Sequence, residues 1–211
     1  MFLPLVDILR CVRPHADTWL VASITRAEAR DVIEGTLGCP VCMAEYPIRD
    51  GIVYFGESIE RATASHPDEA EALRLAAALD LTDPRMVAVL HGEWGAQAQI
   101  LRGLTPAQLL LVNPPTGVTS GDAVSIVVSE SAPLAYGSVN AVAIGSDASD
   151  AMRRSLETSL RGDGRMFGRL DSLIPAGFNE LARDDQAWVA ERPRGEVGTP
   201  PIRLTRKSEG H

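Results

Sequence analysis

Three cysteines and one histidine near the start of the chain have the types and spacing of a metal site. Cys39-Pro40-Val41-Cys42 is a CxxC knuckle, a tight turn that brings two thiolates toward one tetrahedral ion. Cys11 and His15, spaced C-x₃-H, are the only other thiol and imidazole before residue 66. A closed structural zinc site takes four ligands, so the count predicts a Cys₃His site. Thiolate ligands favour zinc over harder metals.

Two other interpretations of these residues remain open. The CxxC could be a redox pair, although a thioredoxin-type CxxC follows a strand of a βαβ unit and this one does not. Alternatively, Cys11 could be a buried apolar residue and His15 a surface histidine, with no metal bound. An odd number of thiols is a poor disulfide framework. If all four residues bind zinc, the site is structural, because a catalytic zinc keeps one position for water.

Composition restricts the class of protein that must carry this site. The 211 residues are 45% hydrophobic and 23% charged, which excludes wholesale disorder, and the formal charge of −8 provides no basic field for nucleic acid. Arg203, Arg206 and Lys207 near the end are few and lack interleaved aromatics, which also argues against a nucleic-acid partner. Without an apolar stretch of about 18 residues or a signal peptide, we expect a cytoplasmic protein that does not bind membranes.

Hydrophobic patterning divides the chain into three predicted parts. Residues 1–58 contain short β segments at Thr18–Ile24 and Tyr46–Phe55, the second broken by a turn at Asp50-Gly51. Residues 65–192 open with a helix at Ser65–Leu79. Residues 193–211 lack periodicity and are predicted to be a disordered tail.

Within residues 65–192, short apolar runs alternate with helical segments. The predicted strands are Met86–Leu90, Leu109–Val112, Ala123–Val128, Val139–Ile144 and Arg165–Gly168; the predicted helices are Ala96–Leu104 and Ala148–Leu160; and a terminal hairpin is predicted from Phe178–Ala182 and Gln186–Glu191. This order predicts an α/β fold with a parallel sheet covered on both faces.

The first part resembles a small bacterial zinc-ribbon family. Gly38-Cys39-Pro40-Val41-Cys42 followed by Glu45-Tyr46-Pro47-Ile48-Arg49-Asp50-Gly51-Ile52 is similar to the second half of that ribbon. The family is similar to the zinc-ribbon activator subunit of tRNA and protein methyltransferases, and it also occurs fused to the front of class I methyltransferases. Its first knuckle is usually CPxC, whereas here Pro14 stands at the second cysteine position and His15 follows.

The second part resembles a class I S-adenosylmethionine-dependent methyltransferase. Four short segments lie in the family's order: Met86–Ala96 at the first strand and its glycine-rich loop, Pro133–Val142 entering the fourth strand, Ser159–Met166 before the fifth, and Ala176-Gly177-Phe178 near the end. The resemblance implies a doubly wound, Rossmann-like methyltransferase-type sheet behind a β-rich zinc ribbon.

The same resemblance locates the expected cofactor pocket and shows how it departs from the family. His91 stands where the first strand normally delivers an acid, and the glycine-rich loop keeps Gly92 and Gly95 with the bulky Trp94 between them. Asn113 stands where a ribose-binding acid is expected, and Val128 occupies the next acidic position, with Glu130 two residues later. A pocket built from Gly92, Gly95, Asn113 and Glu130 would therefore bind S-adenosylmethionine weakly, if at all.

Two main functions follow from these observations, beside a nucleic-acid-binding zinc ribbon, against which the charge of −8 argues. The first is a zinc-binding, methyltransferase-like protein with a degenerate cofactor site and no catalytic residue, which acts as a partner of another protein or as a homodimer. The second is an active methyltransferase with an atypical pocket.

Overall fold

The computed structural model describes residues 1–56, 59, 61–63, 66–121 and 123–195. Ser65, predicted to open the first helix, and the basic residues Arg203, Arg206 and Lys207 of the predicted tail lie outside these ranges. Within them the strands are β1 Val21–Glu28, β2 Asp31–Gly38, β3 Glu45–Arg49, β4 Ile52–Tyr54, β5 Val87–His91, β6 Gln108–Val112, β7 Val124–Val128, β8 Val139–Ile144, β9 Leu160–Arg169, β10 Asn179–Arg183 and β11 Ala187–Glu191. The helices are α1 Glu69–Leu79, α2 Ala98–Leu104 and α3 Asp150–Ser159, with 3₁₀ helices at Leu3–Ile8 and Gly92–Gln97.

All the described strands belong to one mixed sheet, ordered β1-β2-β3-β4-β7-β6-β5-β8-β9-β11-β10. The six strands from β4 to β9 in this order run parallel, and both ends of the sheet are antiparallel. The order β7-β6-β5-β8-β9 is the 3-2-1-4-5 order of a doubly wound α/β sheet, which reverses direction between β5 and β8. The predicted fold class is therefore confirmed, and so is the terminal hairpin, β10–β11.

Apolar residues alternate along the central strands and fill two layers. On one face Leu75 of α1 and Leu101 of α2 pack with Leu90 and Leu111 of the sheet. On the other face α3 covers part of the sheet. Neither the β6–β7 nor the β7–β8 connection contains a helix in its described residues. The N-terminal segment lies in the same buried cluster as α3, with Met1 and Leu9 fully buried. This segment therefore completes the layer that α3 covers only in part.

Residues 1–56 join the second part through the sheet itself. Strand β4 pairs in parallel with β7, with Val53 opposite Val127. Tyr46 and Ile48 of β3 belong to the same buried cluster as Val127. The predicted boundaries at 58 and 65 lie outside the described residues, and the division of the chain into domains stays a prediction.

The first helix begins at a side-chain cap that its sequence provides. Asp68 is extended and its carboxylate accepts a hydrogen bond from the N–H of Glu71 at 2.9 Å, which satisfies a backbone donor of the first turn. None of the helices in the described ranges is both long and apolar enough to span a bilayer.

Candidate metal centre and strand-end cavity

The four predicted metal ligands lie together. The ligand atoms of Cys11, His15, Cys39 and Cys42 are all within 4.8 Å of one another. Cys11 Sγ is 3.6 Å from Cys42 Sγ, and Cys39 Sγ is 3.4 Å from His15 Nε2. The sequence prediction therefore identified a real cluster, whose members come from two segments separated by strands β1 and β2.

This donor set fits a tetrahedral zinc ion. Zinc–sulfur bonds of about 2.3 Å and zinc–nitrogen bonds of about 2.0 Å at tetrahedral angles separate two sulfurs by about 3.8 Å and a sulfur from a nitrogen by about 3.5 Å. The two separations above differ from these values by about 0.2 Å or less. His15 Nδ1 lies 2.7 Å from the carbonyl oxygen of Ala16, and a proton shared there leaves Nε2 as the metal-facing nitrogen.

Local backbone structure places each ligand. Leu9 and Arg10, just before Cys11, form bridges to Leu134 and Trp19, which fix the first segment against the sheet. Cys39 directly follows β2, and its N–H donates to the carbonyl of Ala44 at 2.9 Å, which closes the knuckle.

Hydrogen bonds at two of the sulfurs, those of Cys11 and Cys39, favour thiolates. The hydroxyl of Tyr46 lies 3.0 Å from Cys11 Sγ, and the N–H of Arg13 donates to the same sulfur. Burial acts to raise the pKa of Cys39, but N–H groups of Cys42 and Val41 outweigh it and the pKa lies below its ordinary value. Burial raises the pKa of Tyr46, and the neighbouring Cys11 raises it further, so the phenol stays a donor.

Sequence reasoning did not identify Tyr46 as part of this centre. Its side chain is buried and stacks on Phe55 with ring centroids 4.6 Å apart, which aims the hydroxyl at the cysteines. The available signal was its position in β3, four residues after the knuckle.

A second feature is a cavity at the carboxyl ends of the central strands. Its volume is about 550 Å³, and it lies where a doubly wound sheet reverses direction and where ligands bind in such folds. The lining residues are Ile59, Arg61, Ala62, His91, Asn113, Ser129, Glu130, Asp147, Ser149, Ala151 and Met152. Asn113 and Glu130 of the predicted pocket thus share one cavity, whereas Gly92 and Gly95 are not among its lining residues.

The side-chain amide of Asn113 forms hydrogen bonds within the protein. Its Nδ2 donates to the carbonyl of Ser129 at 2.8 Å, and its Oδ1 accepts from the N–H of Ser129 at 2.9 Å. The residue has φ +50°, a left-handed conformation that asparagine tolerates. Asn113 therefore ties the end of β6 to the end of β7, and one donor and one acceptor site of its uncharged amide are used within the protein.

The two loop glycines face protein atoms. A Cβ on Gly95 would lie 2.5 Å from Cβ and 3.0 Å from Cα of Pro114, and a Cβ on Gly92 would lie 2.6 Å from a carboxylate oxygen of Asp147. Gly92 also has φ +61°. Both glycines thus permit close internal packing at the start of the 3₁₀ helix Gly92–Gln97.

The remaining positions of the expected pocket differ in exposure. Val128 is buried at the end of β7, and Glu130 is exposed at the rim of the cavity. Trp94 is 1% exposed, its Nε1–H donates to the carbonyl of Ile144 at 2.9 Å, and its ring meets Phe167 edge-on. The tryptophan is therefore a core residue.

Among the described residues that line the cavity, His91 is the one ionisable residue that is buried. Its Nδ1 accepts from the N–H of Gly145 at 3.3 Å and lies 3.7 Å from the carboxylate of Asp147. Burial lowers the pKa of His91 and outweighs the carboxylates of Asp147 and Glu93, which favour the charged form. The imidazole is accordingly neutral near pH 7. Asp147, which sequence reasoning missed, lies three residues after β8.

Comparisons with known proteins give a structural likeness without a sequence match. No protein-family model matches the chain, and no curated protein sequence matches it significantly. Among solved structures, geranyl diphosphate C-methyltransferase from Streptomyces coelicolor A3(2) aligns at 17% identity with a TM-score of 0.40, over 47% of this chain and 43% of its own. A methyltransferase from Geobacter sulfurreducens aligns at 11% identity with a TM-score of 0.41, over 61% and 80%. A third, 1,6-didemethyltoxoflavin-N1-methyltransferase from Burkholderia thailandensis, aligns at 13% identity with a TM-score of 0.40, over 59% and 77%.

The extent of these alignments is partial. The matched region spans about half the length of the geranyl diphosphate methyltransferases. The α/β assignment therefore rests on the strand order and the parallel pairing described above.

Proposed function

We propose that this protein is a cytoplasmic, zinc-binding, methyltransferase-like protein whose cofactor site is degenerate and which acts as a non-catalytic partner or scaffold. The observation that carries the proposal is the Asn113–Ser129 pair of hydrogen bonds. At the strand end where the resemblance implies a ribose-binding carboxylate, this side chain is uncharged and already bonded to the protein.

The surroundings of Asn113 support the same interpretation. Gly92 and Gly95, which would let a cofactor approach the backbone, instead accommodate Asp147 and Pro114. The next acidic position is Val128, which is apolar and buried. Each carboxylate–hydroxyl hydrogen bond contributes about 1.5–3 kcal/mol, so losing these acids weakens cofactor binding by orders of magnitude.

The proposed zinc is structural and attaches the N-terminal segment to the knuckle. Its four protein ligands fill a tetrahedral shell and leave no position for a catalytic water. We propose that the ribbon and the exposed strands contact a protein partner or a second copy of the chain.

A second candidate function is an active S-adenosylmethionine-dependent methyltransferase with an atypical pocket. The observation in its favour is the cavity of about 550 Å³ at the strand ends, with Glu130 at its rim. Glu130 would then accept the hydrogen bonds that the missing acids cannot.

The metal assignment is tested by elemental analysis of purified protein beside two histidine variants. We expect one zinc ion per chain in the unmodified protein and in His66→Ala, whose imidazole is exposed and outside the cluster. His15→Ala should lose zinc to a mild chelator that leaves the control loaded. Full zinc retention in His15→Ala would refute the four-ligand site.

The cofactor question is tested by calorimetric titration with S-adenosylmethionine and S-adenosylhomocysteine up to millimolar concentration. We expect no heat of binding and no thermal shift. A micromolar dissociation constant would refute the degenerate site and favour the second candidate. Sedimentation analysis of the same sample tests the homodimer.

A further inference from the structure

Two of the proposed zinc ligands are placed to react with each other. Cys11 Sγ and Cys42 Sγ are 3.6 Å apart, and the two residues lie in separate segments of the chain. A disulfide bond requires about 2.05 Å, so a shift of about 1.6 Å joins the sulfurs. We propose that this pair is an oxidative modification site: a hydroperoxide converts Cys11 and Cys42 into a disulfide and thereby releases the zinc ion. The inference rests on the proposed zinc binding.

Exposure identifies Cys42 as the sulfur that meets the peroxide. Cys42 is exposed, Cys11 is half-buried, and Cys39 is 1% exposed. Hydrogen-bond donors, which reduce the nucleophilicity of a thiolate, are also fewest there. Cys42 has the N–H of Ala44, whereas Cys39 has two backbone N–H groups and Cys11 has the hydroxyl of Tyr46 as well as a backbone N–H.

Cys11 is better placed than Cys39 to attack the oxidised Cys42. The two backbone donors that hold Cys39 come from the knuckle, which keeps this buried sulfur facing His15 at 3.4 Å. Cys11 lies in the loop between the bridge residues Arg10 and Trp19, and its Sγ is already 3.6 Å from Cys42 Sγ.

The chemistry balances with the peroxide as the oxidant. The Cys42 thiolate attacks the O–O bond of hydrogen peroxide, which forms an S–OH group and expels hydroxide. The Cys11 thiolate then attacks the Cys42 sulfur and displaces the second hydroxide as the S–S bond forms. Two thiolates lose two electrons in all, and hydrogen peroxide and two protons become two water molecules. Only Cys39 and His15 remain to hold zinc, which dissociates.

The product would keep the ribbon crosslinked after the metal has left. Zinc and the Cys11–Cys42 disulfide connect the same two segments, so oxidation exchanges one crosslink for another. Only the bonds from His15 and Cys39 to the metal are lost without a replacement. The site would thus respond to peroxide without release of the N-terminal segment from the sheet.

Tryptic peptides distinguish the possible disulfides. Cleavage after Arg10 and Arg26 gives a peptide with Cys11, because the bond before Pro14 resists trypsin, and cleavage after Arg30 and Arg49 gives a peptide with both knuckle cysteines. Cys11–Cys42 joins these two peptides, whereas a Cys39–Cys42 disulfide lies within the second. Alkylation of the remaining thiol before digestion separates Cys11–Cys42 from Cys11–Cys39.

The experiment treats full-length protein of measured zinc content with equimolar hydrogen peroxide and follows zinc with a chromogenic chelator. We expect zinc release and the joined peptide, with alkylated Cys39, to appear at the same rate, and dithiothreitol with added zinc to reverse both. Zinc release with a disulfide inside the second peptide, or with no disulfide, would overturn the proposal. Retention of zinc after peroxide would overturn it as well.

The zinc measurement before oxidation separates the two hypotheses. Protein purified without zinc contradicts the proposed function, and the peptide map still shows whether Cys11 and Cys42 are the pair that oxidises. A Cys11→Ser variant, which lacks the thiol that would attack the oxidised Cys42, adds a readout that does not depend on bound zinc. It should accumulate sulfinic acid on Cys42 in place of the joined peptide.

Discussion

Replacement of Asn113 by alanine should destabilise the protein by about 3 kcal/mol. The change removes both hydrogen bonds to Ser129, at about 1 kcal/mol each, and leaves a buried N–H and carbonyl without that partner. It also puts an alanine at φ +50°, which costs a further ~1 kcal/mol.

Two matched variants separate these contributions. Asn113→Gly loses the same bonds but adopts the left-handed conformation freely, so it should be less destabilised than Asn113→Ala by about 1 kcal/mol. Asn113→Asp retains an acceptor for the N–H of Ser129 and loses the donor to the carbonyl of Ser129. We expect its free energy of unfolding to fall by about 1–2 kcal/mol, which lies between the unmodified protein and Asn113→Ala.

The assay is urea unfolding of zinc-loaded protein, followed by tryptophan fluorescence and circular dichroism. Equal stabilities for the alanine and glycine variants would refute the role of the left-handed backbone. A loss below about 1 kcal/mol for Asn113→Ala would refute the role of the hydrogen bonds. Asn113→Asp also restores a carboxylate at the expected ribose position, and we expect it to remain without detectable S-adenosylmethionine binding because Gly95 still packs on Pro114.

Two further predictions concern the same strand ends. Gly95→Ala should destabilise the protein by about 1–3 kcal/mol because its Cβ would clash with Cβ and Cα of Pro114. Gly103→Ala in α2, where a Cβ has open space, should stabilise the protein by about 0.5–1 kcal/mol. Chemical denaturation measures both changes, and an unchanged stability of Gly95→Ala would contradict the packing argument. The lowered pKa of His91 means that the unfolded chain binds its proton more tightly, so stability should fall as the pH drops below about 6.5 toward the folded pKa, and His91→Gln should flatten the dependence in that window. An unchanged pH dependence in the variant would show that His91 is not the responsible group.

Local sequence patterns predicted most of the strands and helices. Apolar runs marked β5 to β8, and the turn at Asp50-Gly51 marked the β3–β4 hairpin, because these signals arise within a few residues. Strand β2 was missed. It contains Gly35, which lies so close to the carbonyl of Ser23 on β1 that a Cβ would clash. This strand therefore depends on its pairing with β1, which its own sequence pattern does not reveal.

Contacts between distant segments were predictable only where the chemistry of the site fixes the number of residues that take part. Four zinc ligands can be counted, and the count identified Cys11 and His15 although strands β1 and β2 separate them from the knuckle. The pairing of β4 with β7 and the position of Met1 and Leu9 in the second layer leave no local signature. Asn113 shows the same limit, because the resemblance placed it at a ribose-binding position, whereas its contacts depend on Ser129, 16 residues away.

The N-terminal layer determines the order in which a newly made chain can complete its fold. All four proposed zinc ligands are synthesised before strands β3 to β11, so they can meet the metal before the central sheet exists. Leu9 forms a bridge with Leu134, and β4 pairs with β7. Both partners, Leu134 and β7, are synthesised much later. The apolar N-terminal segment therefore waits for more than half of the chain before its core exists. During that interval a zinc crosslink would be the main constraint on a segment whose exposed leucines would otherwise be free to aggregate.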